Sequence, residues 1–190
     1  MYVVMVTWLW GRARIAAQRA SAGLPLATLI DTLHPDRPAR VPGTAIYMTA
    51  RVETVPAALL HNMKHNKVLH ERNVLMNVHT EDVPRLPEGE RLEINHLGQN
   101  FHTVKIRYGF LEEPDIPRAL ALCRVGGFRF NLMETSFFVG REKIVAKRGS
   151  AISLPFKKLF MLLSKMALDA TEFFRIPVNR IVELGGQVEL

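Results

Sequence analysis

Cysteine is nearly missing from this 190-residue chain, which has a single one at Cys123. That excludes an internal disulfide framework and a cysteine-based zinc site, and it fits a reducing compartment. Long apolar runs are scarce too, so a multi-span membrane protein cannot be built from these residues alone. Phosphate-cradling loops of the Gly-x-x-x-x-Gly-Lys-Ser/Thr and Gly-x-Gly-x-x-Gly kinds are absent, as is the Gly-x-Ser-x-Gly nucleophile elbow. Low-complexity tracts and internal repeats are missing as well. What remains is a chain with 48% apolar residues, too many for disorder, and 25 Lys and Arg against 18 Asp and Glu.

A net charge of +7 raises the question of a polyanionic partner. In consecutive segments the basic and acidic counts run five and two (1–50), six and seven (51–100), nine and five (101–150), and five and four (151–190). Acidic residues alternate with basic ones and no aromatic-glycine motif accompanies the arginines, so nucleic acid is not the expected partner. The first ten residues differ from the rest. Met1–Trp10 has nine apolar residues and one threonine, followed by Arg12, Arg14 and Arg19. A helix of that length covers ~15 Å, about half the hydrocarbon core of a bilayer. Two readings stand: a buried core helix, or the cytoplasmic exit of a membrane helix, where apolar residues, tryptophans and arginines come in that order.

Residues 12–33 read as an amphipathic helical stretch interrupted at Gly23-Leu24-Pro25, and 34–42, with three prolines, reads as a linker. The boundaries expected are 1–11 for the apolar helix stub, 12–40 for the amphipathic helix and linker, and 41–190 for a globular domain. Within the last, Thr44–Thr49 and Asn73–Thr80 are near-continuous apolar runs, as in strands buried on both faces. A helix opening at Thr54-Val55-Pro56 separates them, making a βαβ unit with Leu59, Leu60 and Met63 on one face. Leu92 and Ile94, then Val104, Ile106 and Tyr108, alternate as in an antiparallel hairpin. Asp115-Ile116-Pro117 opens a helix through Leu120 and Cys123, and 136–140 is a short strand. A helix over 155–174 and a last strand over 180–190 follow. The fold class predicted is α/β, with a mixed, partly parallel sheet and flanking helices.

The densest polar cluster is His61, Lys64, His65, Lys67, His70 and Arg72. The four-residue spacing of His61 and His65 can place two imidazoles on one helical face, but the glutamate of a His-Glu-x-x-His site is replaced and no further ligands stand nearby. The cluster suits an interface or an anion better, and its expected place is between a helix end and the start of a strand. Thr80-Glu81-Asp82-Val83-Pro84 is a turn, and Cys123 on an apolar helical face is a structural thiol. No catalytic residue, metal or cofactor is expected.

Several of these strings are recognisable. Val41–Thr49, Leu59–Arg72, Thr80–Pro84, Tyr108–Phe110, Met133–Phe138 and Phe174–Leu184 resemble, in order, the C-terminal cytoplasmic domain of Kup-type potassium uptake proteins. Gly140-Arg141 and Gly186 depart from that pattern at local turns. The resemblance implies a bacterial inner-membrane carrier importing potassium with protons, whose ion-binding residues lie in membrane helices outside these 190 residues. It makes Met1–Trp10 the inner end of the last membrane helix, on the cytoplasmic side. The tail of a more distant relative binds a cyclic dinucleotide and helps form a dimer, which makes a homodimer and a nucleotide ligand hypotheses for this domain. A stand-alone nucleotide-binding module of α/β type is the alternative.

Overall fold

A computed structural model describes residues 2–34, 37–123, 128–145, 159–160, 162–163 and 174–189. The chain divides into two compact units. One comprises Met1–Gly23, Arg141–Asp169 and Gly185–Leu190, and the other comprises Leu24–Gly140 and Ala170–Leu184.

The strands of one sheet are β1 (Ala39–Met48), β2 (Val68–Glu81), β3 (Leu92–Gly98), β4 (Phe101–Gly109), β5 (Thr135–Val145) and β6 (Ile181–Glu189), with the second unit holding β1 to β4 whole. Their order is β3-β4-β2-β1-β5-β6. β1 pairs in parallel with both β2 and β5, and β2 in parallel with β4, while β3 and β4 form an antiparallel hairpin. The α/β class with a mixed sheet is therefore what the chain adopts.

The central strands are apolar throughout because both of their faces are covered. On one face Ala45, Tyr47, Leu69, Leu75, Phe101 and Phe138 pack beneath helices α2 (Leu26–Thr32) and α3 (Ala57–His61). On the other, Ile46, Val74, Met76, Val104 and Ile106 meet Ile116, Ala119 and Leu120 of α4 (Ile116–Leu122) and its C-cap residue Cys123. Asp115 caps α4 by accepting from the Arg118 N–H at 2.9 Å, with Pro117 in the first turn where its missing N–H leaves no bond unmade.

Several boundaries differ from the sequence expectation. β1 starts at Ala39, inside the expected linker. Pro42 cannot donate to the ladder and Gly43 sits at φ +98°, so the pairing shifts between Val41 and Thr44 and the strand resumes beyond a bulge. β2 starts at Val68 because residues 68–70 pair with 39–41. Leu60, expected on the buried face of α3, is exposed, and the covered positions there are Ala58 and Leu59.

In the first unit, the apolar stub and the start of the amphipathic stretch form one helix, α1 (Tyr2–Ala22), which continues through Gly11. Gly11 is buried against the Phe160 ring, where a Cβ would come within 2.2 Å of a ring carbon. Trp8 lies 5.8 Å from the same ring. No helix among the described residues is long and apolar enough to cross a membrane. The helix expected over 155–174 lies largely outside the described residues, although 159–160 and 162–163 are helical.

Candidate functional site

The His61–Arg72 cluster is shaped by Asn62. After α3 the backbone widens into a single π turn over Asn62–Asn66, which Lys67 closes in the left-handed region at φ 57°. Buried Asn62 holds this turn: its Nδ2 donates to the Tyr47 hydroxyl and to the Val68 carbonyl, both at 3.1 Å, and its Oδ1 accepts from Asn66 at 2.8 Å. Burial pushes the Tyr47 phenol far above its usual range.

The six side chains do not converge. His61 and His65 stack with ring centroids 5.7 Å apart, one turn from each other, while Lys64, His65 and Lys67 are exposed. His70 and Arg72 lie within β2, two residues apart, rather than ahead of the strand. His70 packs edge-on to Phe138 at 5.7 Å, and burial lowers its pKa. Its Nδ1 has no partner among the described residues. The Arg72 guanidinium lies 4.8 Å over the Phe128 ring and donates to the Arg129 carbonyl at 2.8 Å.

Arg72 thereby leaves the cluster and joins a groove of about 700 Å³ with His96, His102, Phe128 and Arg129 along its wall. His96 and His102 are direct cross-strand partners in the β3–β4 hairpin. Their Nδ1 atoms stand 3.3 Å apart, so one ring presents an N–H and the other a lone pair. His102 also meets Phe128 edge-on at 4.5 Å. Burial, helped by His96 and the Arg72 charge, lowers the His102 pKa to about 4 and keeps the ring neutral at physiological pH. The hairpin turn sets this pairing: Gly98, Gln99 and Asn100 all take positive φ, and the glycine at φ 94° starts the reversal. Sequence reading missed the pair, although a turn centred on Gln99-Asn100 would have placed His96 opposite His102.

The groove lies at the starts of β1, β2 and β4, whereas ligands of open α/β sheets usually sit beyond the strand ends. At those ends a smaller cavity of about 300 Å³ is lined by Asn77, His79, Lys105 and Arg107. Asn77 there donates to the Thr49 and Ala50 carbonyls, both at 3.0 Å. Burial pushes the Cys123 thiol up to about 11, and its Sγ–H faces the Ala119 carbonyl at 3.5 Å, so it packs as an apolar residue.

Comparison with known proteins gives these features a setting. The family model described as the K+ potassium transporter C-terminal domain matches residues 42–190. The chain is 52% identical over 190 residues to a protein of Bradyrhizobium sp. named "Probable potassium transport system protein Kup 1", covering 100% of this chain and 31% of that one. A Kup protein of Azoarcus sp. is 48% identical, with 100% of this chain and 30% of the relative covered. Kup 2 of Chromobacterium violaceum is 49% identical, covering 100% and 31%. The chain thus spans about a third of the length of the curated relatives it matches. No solved structure matches it. The match over residues 42–190, with about half of all positions identical to each of these relatives, shows that the chain belongs to the family defined by the K+ potassium transporter C-terminal domain.

Proposed function

We propose that this chain is the cytoplasmic, structural or regulatory C-terminal part of a proton-coupled potassium uptake carrier of the bacterial inner membrane, and that it acts only when joined to the membrane portion. The observation that carries this reading is the coverage: the whole chain aligns with 31% of a protein named for potassium transport. In this reading residues 1–11 are the end of a membrane helix, 12–40 lead away from the bilayer, and 41–190 form the cytoplasmic domain. Potassium and protons are partners of the membrane portion, and a second copy of the domain is a partner of this one.

Three arms in a strain lacking its own potassium carriers test the reading: the chain alone, the Bradyrhizobium relative cut back to the part this chain does not cover, and a chimera joining the two. The chimera should restore growth at low potassium, and the chain alone should not. Rescue by the chain alone, or equal uptake by the cut-back relative and the chimera, would overturn it.

A second reading, a nucleotide sensor, is favoured by the groove, where Arg72 and Arg129 stand beside Phe128. Calorimetry with ATP, AMP and a cyclic dinucleotide should then give heat that Arg72→Ala abolishes. No heat at millimolar ligand would reject it.

A further inference from the structure

Val83, Phe110 and Leu111 are large apolar side chains that stand 42%, 56% and 66% exposed on neighbouring turns. Those turns follow β2 and β4, at the carboxyl ends of the strands. The Phe110 N–H donates to the Val83 carbonyl at 2.9 Å and the Leu111 N–H to the Pro84 carbonyl at 3.1 Å, so the three positions lie side by side. Exposed apolar residues scattered singly need no explanation, but three together mark a contact surface. The surface is preformed. Glu112 accepts from the Gly109 N–H, the Leu86 N–H and Arg91, and so ties the two turns together. Gly109 lets them meet, since a Cβ there would come within 2.4 Å of the Pro84 carbonyl oxygen. A surface held in place before contact loses little entropy when a partner arrives.

The rim of this platform is acidic, although the chain as a whole carries +7. Residues 81–90 and 109–115 contain seven Asp and Glu against Arg85 alone. Arg91, Arg118 and Arg175 reach in from other stretches and pair with Glu112, Glu88 and Glu113. Glu81 faces the small cavity that holds Lys105 and Arg107. Asp82 and Glu90 are exposed and make no ion pair among the described residues. Such a rim repels an anionic lipid surface or a nucleic acid, and a two-fold copy would set it against itself. The complementary partner is apolar at its centre and basic around it. Cytoplasmic loops of membrane proteins carry an excess of Lys and Arg. This chain covers 31% of the Bradyrhizobium relative, and the longer remainder is the membrane portion in the reading proposed above.

We infer that Val83, Phe110 and Leu111 dock on the cytoplasmic loops of the carrier's membrane portion, with Asp82 and Glu90 meeting lysines and arginines of those loops. The inference rests on the proposed function and names the face of the second unit that joins the two parts.

Photo-cross-linking within the chimera of this chain and the relative's membrane portion tests it. Benzoylphenylalanine in place of Phe110 should cross-link to peptides of the membrane portion. The same group in place of Leu97, 41% exposed on β3, should not. Asp82→Asn with Glu90→Gln removes two exposed charge pairs and should lower the yield from position 110 at least about twofold. A thermal melt of the 190-residue chain with the same two changes should be unaltered, so that the loss is one of docking rather than folding. In a chimera that restores growth, three results would overturn the inference and leave the proposed function standing. These are cross-links only to lipid, to other proteins or to a second copy, equal yields from the two positions, and a yield indifferent to the charge changes. A chimera that does not restore growth would overturn the proposed function, and this inference with it.

Discussion

Replacing Asn62 by alanine probes the turn that shapes the candidate cluster. The Asn62 amide is 2% exposed and serves the hydroxyl of Tyr47, which is completely buried, together with the Val68 carbonyl. Truncation leaves both without their donor, at about 1–3 kcal/mol for each buried group that stays unsatisfied. The Val68 residue is only half-buried, so water recovers part of its share, and the total should fall near ~3 kcal/mol. For a chain of this length that lowers Tm by roughly 6–12 °C in a thermal melt followed by circular dichroism. Tyr47→Phe removes one hydroxyl while Asn62 keeps its bond to Val68, so it should lose only about 0.5–1.5 kcal/mol. The two changes share a partner, and the double variant should be less destabilised than their sum by about 1 kcal/mol. A melting point for Asn62→Ala within a degree or so of the parent, or strict additivity with Tyr47→Phe, would refute the account of the turn.

Three further outcomes are expected. His102 has its folded pKa lowered to about 4 from the ordinary 6.5, so the unfolded chain binds more protons between those values. Stability, read as the urea midpoint, should hold above pH 6.5 and decline toward pH 4; His102→Gln should flatten that slope, and an unchanged slope would count against the neutral ring. Gly109→Ala would put a Cβ 2.4 Å from the Pro84 carbonyl oxygen and force backbone to move, for about 1–3 kcal/mol, while Gly140→Ala meets nothing within 4 Å and should be neutral in the same denaturation assay. Glu112 accepts from Arg91 at 2.6 Å, from Gly109 N–H at 2.7 Å and from Leu86 N–H at 3.3 Å, so Glu112→Ala should loosen the β3 edge, measured as faster hydrogen exchange at Gly109 and Leu86. The Arg91 bond, then the Gly109 N–H, hold the Glu112 carboxyl below its usual range, so its contribution is present at neutral pH and lost as the medium turns acid.

The parts of the fold that were legible in the sequence are those where one physical rule acts alone. Thr44–Tyr47 and Asn73–Met76 are buried on both faces, and their apolar runs declare it. Asp115 and Pro117 announce α4 because capping and the missing proline N–H are local effects. What stayed hidden depends on distant partners. His70 and Arg72 look like loop residues until β1 supplies a ladder at Ala39–Val41. Arg72 looks like one of a basic cluster until Phe128 comes beneath it.

The position of β1 also sets an order in time. Its partner β2 begins at Val68, but its other partner, β5, begins at Thr135. On a ribosome adding ~5–20 residues per second, the segment from Thr44 to Thr135 takes roughly 5–20 s to appear. Throughout that interval Ala45, Ile46 and Tyr47 have one ladder edge without its final neighbour. A strand so apolar is a template for another nascent chain, and long-range parallel pairing is slow to form even once both strands exist. Slower translation between β4 and β5 lengthens the interval in which that edge stands open.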